Sequence, residues 1–401
     1  MISFPIWEDK IMMGTNGNDD LFIYNKNAED FVPEDHPLRK IKPVIDTKKI
    51  RKLARPLYSH YGRPSIPPEQ LFLALIAGYV MGITSERKIA MQLECDMAFR
   101  WFVGLGINSK AWDASTFSQN RRRRFDKAGF MEKLFDETVK EAVKQGLVSL
   151  HASADGTLVR ANASFKSFNP VEVFQTPEEY KKSIRSNDKS QVELETEKPE
   201  DSDKGNPNVD FHGEKRSNKT HRSKTDPDCR FVSKGTSGTG AYPGYTVNAV
   251  MENRNRFLVG MNVEIFKGPA SETMGCLAIL DKAKKKSKYK PETLGADKGY
   301  FADAFIRELF AKNIEPHIAA KNIGKKESHK RVRMRERGIG YQLSQRCRKK
   351  IEELFGEGKE NHGLRRLKRR TLDKVTEEVF MIGMILNMKR FASLRKRQVT
   401  C

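Results

Sequence analysis

The spacing of apolar residues divides the chain into a helical first part and a later part in which strands and helices alternate. Residues 36–146 follow the helical period throughout. Pro67 and Pro68, followed by Glu69, are typical of a first helical turn, and the apolar run 71–83 fills that helix. Three further helices are predicted, opening at Thr84, spanning 117–125, and spanning 127–145 up to Gly146.

From residue 147 onward the pattern becomes that of strands. Residues 147–161 alternate in part, with a turn expected at Gly156. Two strand-like runs flank the turn-forming residues 252–255 and predict a hairpin. The two strands of this hairpin are predicted at 245–251 and 257–265. Further strands are predicted at 292–297 and 314–319, and helices at 271–286, 302–312, 346–355 and 372–394. This order predicts a mixed sheet flanked by helices, with Asp155 on its first strand and Asp297 on its fourth.

Three segments lack a regular pattern. Residues 1–35 predict an N-terminal arm, and residues 395–401 a basic tail. Residues 162–240 are polar, with a disorder-like composition near 195–207. A loop of that length is unusual inside a compact domain, so we expect a partly disordered insertion after the first strand. The expected domains are therefore 36–146, all-helical, and 147–394, built on the mixed sheet.

The charge balance changes this picture from a generic α+β or α/β protein to one with a polyanionic partner. The 401 residues contain 74 Lys and Arg against 52 Asp and Glu, a formal net charge of +22. Neutralising phosphates releases counterions, so the surplus favours nucleic acid over a merely basic surface. Basic runs at 284–286, 325–337 and 365–370 would line a DNA path.

Other classes are disfavoured. The longest apolar run, 71–83, is too short to span a bilayer, so no membrane role is expected. The five cysteines form no CxxC pair, which favours reduced thiols in the cytoplasm. The first 35 residues carry no signal-peptide pattern. We therefore expect a cytoplasmic protein.

The third predicted helix is strongly polar and basic, since it presents Gln119, Asn120, Arg121, Arg122, Arg123 and Arg124. Short helices joined by tight turns, the last one basic, are typical of a helix-turn-helix module that reads DNA. The alternative is a helical subdomain whose arginines touch only phosphates. The pattern alone leaves both interpretations open.

Three well-separated carboxylates are candidates for chemistry. Asp297 ends a strand-like run before a glycine turn, and Asp155 occupies a similar context. Carboxylates at strand ends suit Mg²⁺, which binds one or two of them together with waters and phosphate oxygens. Two such ions can support in-line displacement at phosphorus. Since Asp-Gly is also a common turn, Asp155 alone is more typical of a structural turn residue than of a metal ligand.

The third carboxylate, Glu352, lies in a basic predicted helix. Arg348 precedes it by four residues and Lys359 follows by seven, so all three would share one helix face. A solvated salt bridge is the simpler interpretation of Arg348 and Glu352. Gly356 and Gly358, each costing about 1 kcal/mol in a helix, favour a helix end before Lys359.

Five stretches in this order resemble the DDE transposases of bacterial insertion sequences, which have a ribonuclease-H-like catalytic core. The resemblance covers roughly residues 36–394. The matching stretches are Gly62–Leu71, Ala154–Asn162, Lys219–Asp228, Leu294–Tyr300 and Ser344–Gly356.

This resemblance implies that Asp155, Asp297 and Glu352 form the metal-binding catalytic triad. The family's signature on the last catalytic helix is tyrosine, arginine, glutamate and lysine. Arg348, Glu352 and Lys359 match, and they would contact DNA. Gln345 stands at the tyrosine's position, with Tyr341 one turn earlier as a stand-in. In the segment leading to the hairpin, His221 is expected to be structural or to contact DNA.

The implied activity is cleavage at the element's ends and joining of the freed 3′ ends to target DNA. It would use two Mg²⁺ ions per active site, replaceable by Mn²⁺. The implied partners are double-stranded terminal inverted repeats, target DNA and at least one further copy of the chain. The implied location is the bacterial cytoplasm, at the nucleoid through DNA binding. Two alternatives stay open: a catalytically silent DNA-binding protein derived from a transposase, and a ribonuclease-H-like nuclease without strand joining.

Overall fold

The computed structural model describes residues 27–58, 65–171, 210–211, 214–233, 240–268, 270–321 and 326–399. Most of the predicted arm and much of the predicted insertion lie outside the described residues, as does the end of the predicted tail.

The N-terminal part is helical, as predicted. Its helices are α1 (Pro37–Ile41), α2 (Thr47–Ala54), α3 (Pro68–Val80), α4 (Glu86–Cys95), α5 (Met97–Val103), α6 (Ala114–Asn120) and α7 (Phe130–Lys144). The carboxylates of Asp46, Asp96 and Asp113 accept backbone N–H groups at the starts of α2, α5 and α6. Gly146, at φ +64°, follows the end of α7.

The third predicted helix differs from expectation in its second half. Regular helix ends at Asn120, and Arg121–Phe125 form one π-helical turn. Such wider turns occur mostly as single insertions into α-helices. The chain then passes through a 3-10 turn, Asp126–Ala128, and Gly129 at φ +58° into α7.

The second part is built on one six-stranded mixed sheet. Its strands are β1 (His151–Arg160), β6 (Arg230–Val232), β7 (Tyr242–Glu252), β8 (Leu258–Glu264), β9 (Thr293–Ala296) and β10 (Glu315–Ile318). The order is β8-β7-β1-β9-β10, and β6 pairs with the first residues of β7. The β7–β8 and β1–β7 pairs are antiparallel, whereas β1–β9 and β9–β10 are parallel. This is the ribonuclease-H-like arrangement, and the predicted hairpin is its β7–β8 pair.

Five helices lie among the described residues of this part. They are α8 (Ala270–Ser287), α9 (Asp303–Ala311), α10 (Glu327–Arg335), α11 (Ile339–Asn361) and α12 (Leu372–Val399). Helix α10 was not predicted, because its sequence has few apolar residues and these alternate with Arg residues, so no helical spacing is visible. Helix α11 is more than twice as long as the predicted 346–355.

The predicted insertion contains ordered structure where it is described. Short strands β2 (Phe168–Pro170) and β5 (His221–Ser223) pair with each other, as do β3 (Asp210–Phe211) and β4 (Glu214–Lys215). Buried Asp226 accepts hydrogen bonds from the Tyr245 hydroxyl at 2.6 Å and from the Thr371 N–H at 2.9 Å. Asp228 accepts from the N–H of Leu372, the first residue of α12. These aspartates therefore fix the start of the last helix.

The two parts share one hydrophobic core. Helix α12 packs against β8, α7 and α3, so the last helix of the sheet-containing part also covers the helical part. The sequence boundary at 146/147 is thus not a break in packing.

The buried carboxylate of Glu252 closes the β7–β8 turn by accepting the N–H groups of Arg254, Asn255 and Phe257.

The turn expected at Gly156 is wrong, since β1 runs unbroken through it. Gly156 pairs with Asn248 of β7, and a Cβ there would lie 3.0 Å from both the Asn248 Oδ1 and the Glu272 carboxyl carbon. The glycine is therefore required by the close approach of neighbouring side chains, not by a turn. Asp155 consequently lies in the middle of a strand, not at a strand end.

Candidate active site

The strand register places Asp155 beside Asp297. Parallel strands β1 and β9 pair Ser153 with Gly295, and continuing this register by two residues brings Asp155 opposite Asp297. Adjacent strands lie about 4.8 Å apart, and residues two apart share a face of the sheet. Asp297 directly follows β9, as predicted. Two carboxylates 142 positions apart in sequence therefore meet on one face.

The Asp155 carboxyl is difficult to ionise in this setting. Burial raises its pKa to about 7, and the negative charges of Asp297 and Glu352 add to the rise. The Gly156 N–H, which donates to Asp155 Oδ1 at 2.9 Å, and the cation of Arg348 act in the opposite direction. The three predicted triad carboxylates are thus close enough to influence one another electrostatically.

Asp297 is held at the start of a tight turn. Its Oδ1 accepts the Gly299 N–H at 2.8 Å, which caps the 3-10 turn Lys298–Tyr300. A Cβ on Gly299 would lie 3.0 Å from that same oxygen, so the glycine allows the carboxylate to fold back on the turn. The glycine after Asp297 therefore has the turn role that the sequence suggested.

Helix α11 lies across the face that carries the two aspartates. It packs against both β1 and β9. The approach is close at Gly295, where a Cβ would lie 2.7 Å from the Ser344 hydroxyl. Buried Ile351, Leu354 and Phe355 anchor the helix to the core. The side chains predicted to carry chemistry are thereby aligned along the sheet.

Glu352 is oriented by Arg348. The Arg348 Nη1 donates to Glu352 Oε1 at 3.1 Å, and the Glu352 side chain is 57% exposed. Arg348 and Glu352 therefore lie on one face of α11, as predicted. They also form the salt bridge that was the simpler interpretation of this pair. Within the described ranges, no group of three or more His, Cys, Asp or Glu side chains is arranged so that it could hold a metal ion.

Lys359 remains within the helix, contrary to the expectation from Gly356 and Gly358. Its ammonium donates to the Thr157 hydroxyl at 2.5 Å, two residues beyond Asp155 on the same face of β1. A Cβ on Gly358 would lie 3.2 Å from Leu364 Cδ2 and 3.6 Å from Ile382 Cγ2. Close packing against Leu364 and against Ile382 of α12 therefore offsets the weak helix propensity at Gly358.

The stand-in Tyr341 does not replace the signature tyrosine in this structure. Its ring packs edge-on against His317, and its hydroxyl lies 3.5 Å from Glu336 Oε1. Gln345 instead occupies the position next to the aspartates. Its amide nitrogen donates to the carbonyl oxygens of Ala296, at 3.1 Å, and His317, at 2.6 Å.

The residues predicted to contact DNA in the helical part divide into two sets. Gln119, Arg122 and Arg123 are exposed. Asn120 is buried, and Arg121 forms an ion pair with Glu86. Arg124 donates to Asn120, and its guanidinium lies 4.3 Å from the centre of the Tyr58 ring. Three of the six residues that were predicted to contact DNA here therefore make contacts within the protein.

His221 is buried, and its Nδ1 lies 2.9 Å from the Thr220 hydroxyl. Its place in β5, paired with Pro170, fits the structural alternative that the sequence left open. The sequence pattern assigned no role to the neighbouring Asp226 and Asp228. Only the fold shows that they hold the start of α12.

Two family models match the chain. The model described as Transposase domain (DUF772) covers residues 26–123, and that described as Transposase DDE domain covers residues 181–388, just over half of the chain. The second match includes Asp297 and Glu352 and begins after Asp155. The chain matches no curated protein and no solved structure.

A ribonuclease-H-like sheet with aspartates on adjacent strands, covered by a helix bearing a glutamate, defines an enzyme of the class that acts on phosphodiesters. The chain belongs to the transposase DDE domain family, and its resemblance to insertion-sequence DDE transposases is confirmed. The family implies DNA substrates and the use of divalent metal ions. No described helix combines the length and apolarity needed to cross a membrane.

Proposed function

We propose that this transposase cleaves DNA at the ends of its insertion sequence and joins the freed 3′ ends to target DNA. The observation that carries the proposal is the register that sets Asp155 opposite Asp297, beneath the helix bearing Arg348 and Glu352. Three mutually repelling carboxylates, in a protein of net charge +22, suit a site that takes cations and phosphate oxygens.

The donor set fits Mg²⁺. It offers hard carboxylate oxygens, and Asp155 and Asp297 suffice for an ion that usually keeps waters and substrate oxygens as its other ligands. A cation would also offset the burial and the repulsion that raise the pKa of Asp155. Bound ions, two per site in our proposal, would supply Lewis-acid stabilisation of charge at the phosphate. Glu352 would join the set once its carboxylate leaves Arg348.

The cations of α11 would bind the scissile strand. In the free protein Arg348 pairs with Glu352, and Lys359 donates to Thr157, so both point along the face that carries the aspartates. Phosphate oxygens can replace those partners, since Arg and Lys bind phosphate readily. Arg348 would then hold a phosphate and release Glu352 toward the aspartates.

The helical part would recognise the terminal inverted repeats. Exposed Gln119, Arg122 and Arg123 are the members of the predicted set available to DNA. Arg121, Arg124 and Asn120 would support that segment from inside. Two ends must be brought together for joining, so the working complex would contain at least two copies of the chain.

The test is an in vitro reaction with Mg²⁺, a labelled duplex carrying the element's end, and a plasmid target. Wild-type protein should nick the end and join it to the plasmid. Asp297→Asn should bind the same duplex with similar affinity and do neither. Equal cleavage by both proteins would show that the assigned site is wrong.

The same reaction separates the alternatives. Cleavage without joined product would indicate a ribonuclease-H-like nuclease. End binding without cleavage, in Mg²⁺ and in Mn²⁺, would indicate a silent DNA-binding protein.

A further inference from the structure

Gln345 joins three parts of the active site through one amide group. Its nitrogen donates to the carbonyl oxygens of Ala296 at 3.1 Å and of His317 at 2.6 Å. Ala296 is the last residue of β9 and directly precedes Asp297, whereas His317 belongs to the neighbouring strand β10. The amide therefore ties α11 to the ends of two adjacent strands.

The other half of the same amide faces Arg348. Arg348 Nε donates to Gln345 Oε1 at 3.3 Å, while its Nη1 donates to Glu352 at 3.1 Å. The Arg348 side chain is 17% exposed, so few solvent contacts compete with these two. A continuous series of hydrogen bonds thus runs from the backbone beside Asp297, through Gln345 and Arg348, to Glu352.

The chemistry of the position favours a primary amide. Two carbonyl oxygens accept hydrogen bonds at this position, a guanidinium donates one, and a Gln side chain serves both at one end. A carboxylate of the same shape would turn an acceptor toward two carbonyl oxygens. A methionine would fill the space without donors, so the Ala296 carbonyl would keep only the Ala319 N–H, at 3.3 Å, and the His317 carbonyl would lose its 2.6 Å donor.

We propose that Gln345 is a positioning residue, which sets the guanidinium of Arg348 and fixes α11 relative to Asp297. This rests on the proposed cleavage and joining reaction. Gln345 touches no reacting atom in this role, because it acts through Arg348 and through the Ala296 carbonyl. A hydrogen-bonding amide thus stands where the family's signature has a tyrosine.

The experiment is a double-mutant cycle on the end-cleavage rate, measured in a single turnover with saturating protein. Gln345→Met should lower the rate about 10- to 100-fold, the usual cost of losing a residue that orients a catalytic group. Gln345→Glu should lower it at least as much. The dissociation constant for end DNA should change less than about threefold, because the number of surface cations is unchanged.

The cycle is completed by Arg348→Ala. The part of the loss that Gln345 exerts through Arg348 should disappear in that background, so Gln345→Met should cost at least about threefold less there than in wild type, while the part exerted through the Ala296 carbonyl remains. Gln342→Met is the matched control, because Gln342 lies on the same helix and is exposed. It should cleave like wild type. Thermal unfolding of each variant checks that the protein is folded.

Three results would overturn the inference. Folded Gln345→Met cleaving at the wild-type rate would remove the role. Additive losses with Arg348→Ala would leave only a structural contribution. A loss expressed entirely in DNA affinity would make Gln345 a binding residue. An inactive wild type beside inactive Asp297→Asn would instead count against the proposed function.

Discussion

Asp155 and Glu377 are two buried carboxyls whose surroundings differ. Burial raises the pKa of each to about 7. Glu377, in α12, accepts the N–H of Met131 at the start of α7 at 2.8 Å, and the cation of Arg369 lies nearby. Asp155 accepts one N–H from its neighbour Gly156 and faces the anions of Asp297 and Glu352.

The difference distinguishes a carboxyl that connects two helices, Glu377, from one in the candidate active site, Asp155. The Glu377 carboxylate is matched to a helix N-terminus, where the backbone dipole favours negative charge. It holds the helical part against the last helix, so its interactions are complete within the protein. Asp155 has two anionic neighbours and one cationic one, Arg348, so a surplus of negative charge remains for a group from outside the chain to neutralise. Glu377 has one charged neighbour of each sign. Burial alone therefore does not identify a candidate catalytic carboxylate, whereas the balance of charge around it does.

The largest expected effect tests this distinction through activity. Asp155→Asn should reduce end cleavage by about 1,000-fold or more, because the site no longer has this metal-binding anion. Glu377→Gln should leave the rate per folded molecule within about threefold of wild type, since an amide can keep an acceptor toward Met131. Single-turnover cleavage with equal folded protein measures both. Similar losses in the two variants would contradict the comparison.

The second test concerns Arg348, the cation placed between the anions. Arg348→Ala should lower cleavage by roughly 100-fold, in the range found when a charge-stabilising donor is removed. Arg348→Lys should recover only part of the rate, because an ammonium cannot contact Gln345 and Glu352 with the fork geometry of a guanidinium. Cleavage rates of the two variants at fixed Mg²⁺ provide the measurement. Full activity of the lysine variant would show that charge alone suffices.

The third test is the dependence of stability on pH. A carboxyl whose folded pKa lies above its unfolded value binds extra protons when folded, so the free energy of unfolding falls as pH rises between the two values. For Asp155 and Glu377 that window runs from about pH 4 to about pH 7. Asp155→Asn and Glu377→Gln should each remove about 1 to 3 kcal/mol of this fall in metal-free protein.

Mg²⁺ distinguishes the two groups. At pH 8 it should stabilise wild type and Glu377→Gln by binding the ionised site, and it should have little effect on Asp155→Asn. Denaturant unfolding with and without Mg²⁺ at pH 5 and pH 8 measures this. Equal stabilisation of Asp155→Asn would place the ion elsewhere.

The smallest expected effect compares arginines in the segment that is proposed to contact DNA, Gln119–Arg124. Alanine at Arg122 or Arg123 should weaken end-DNA binding modestly and reduce the salt dependence of the affinity by about one unit for each phosphate that the variant no longer neutralises. Arg121→Ala should instead lower stability by about 2 kcal/mol, because it leaves the largely buried Glu86 without its partner. Fluorescence anisotropy across salt concentrations, with melting curves, separates these effects. A salt slope changed only by Arg121→Ala would reverse the assignment.

Much of the fold can be predicted from local sequence patterns. Proline and acids mark the start of α3, the turn residues around Glu252 mark the hairpin, and alternating strands and helices give the sheet. These signals depend on a few neighbouring residues, so a single sequence carries them. The three candidate carboxylates are predicted from the resemblance more than from their residue types.

The remaining features depend on contacts between distant segments. Gly156 looks like a turn residue until Asn248 and Glu272 are placed beside it. The continuation of α11 past Gly358 depends on packing against α12. Gln345 acquires its role from carbonyl groups of β9 and β10, which no spacing rule connects to it. In each case the deciding partner lies far away in sequence.

The pairing of Ser153 with Gly295 has a consequence for the inheritance of this gene. One codon gained or lost between His151 and Asp155 would move the carboxylate to the opposite face of the sheet, while the reading frame stays open. The product could still occupy element ends without cutting them, and so compete with intact copies in the same cell. Under the proposed function, the number of residues between His151 and Asp155 would therefore separate a working copy from an inhibitor of its relatives.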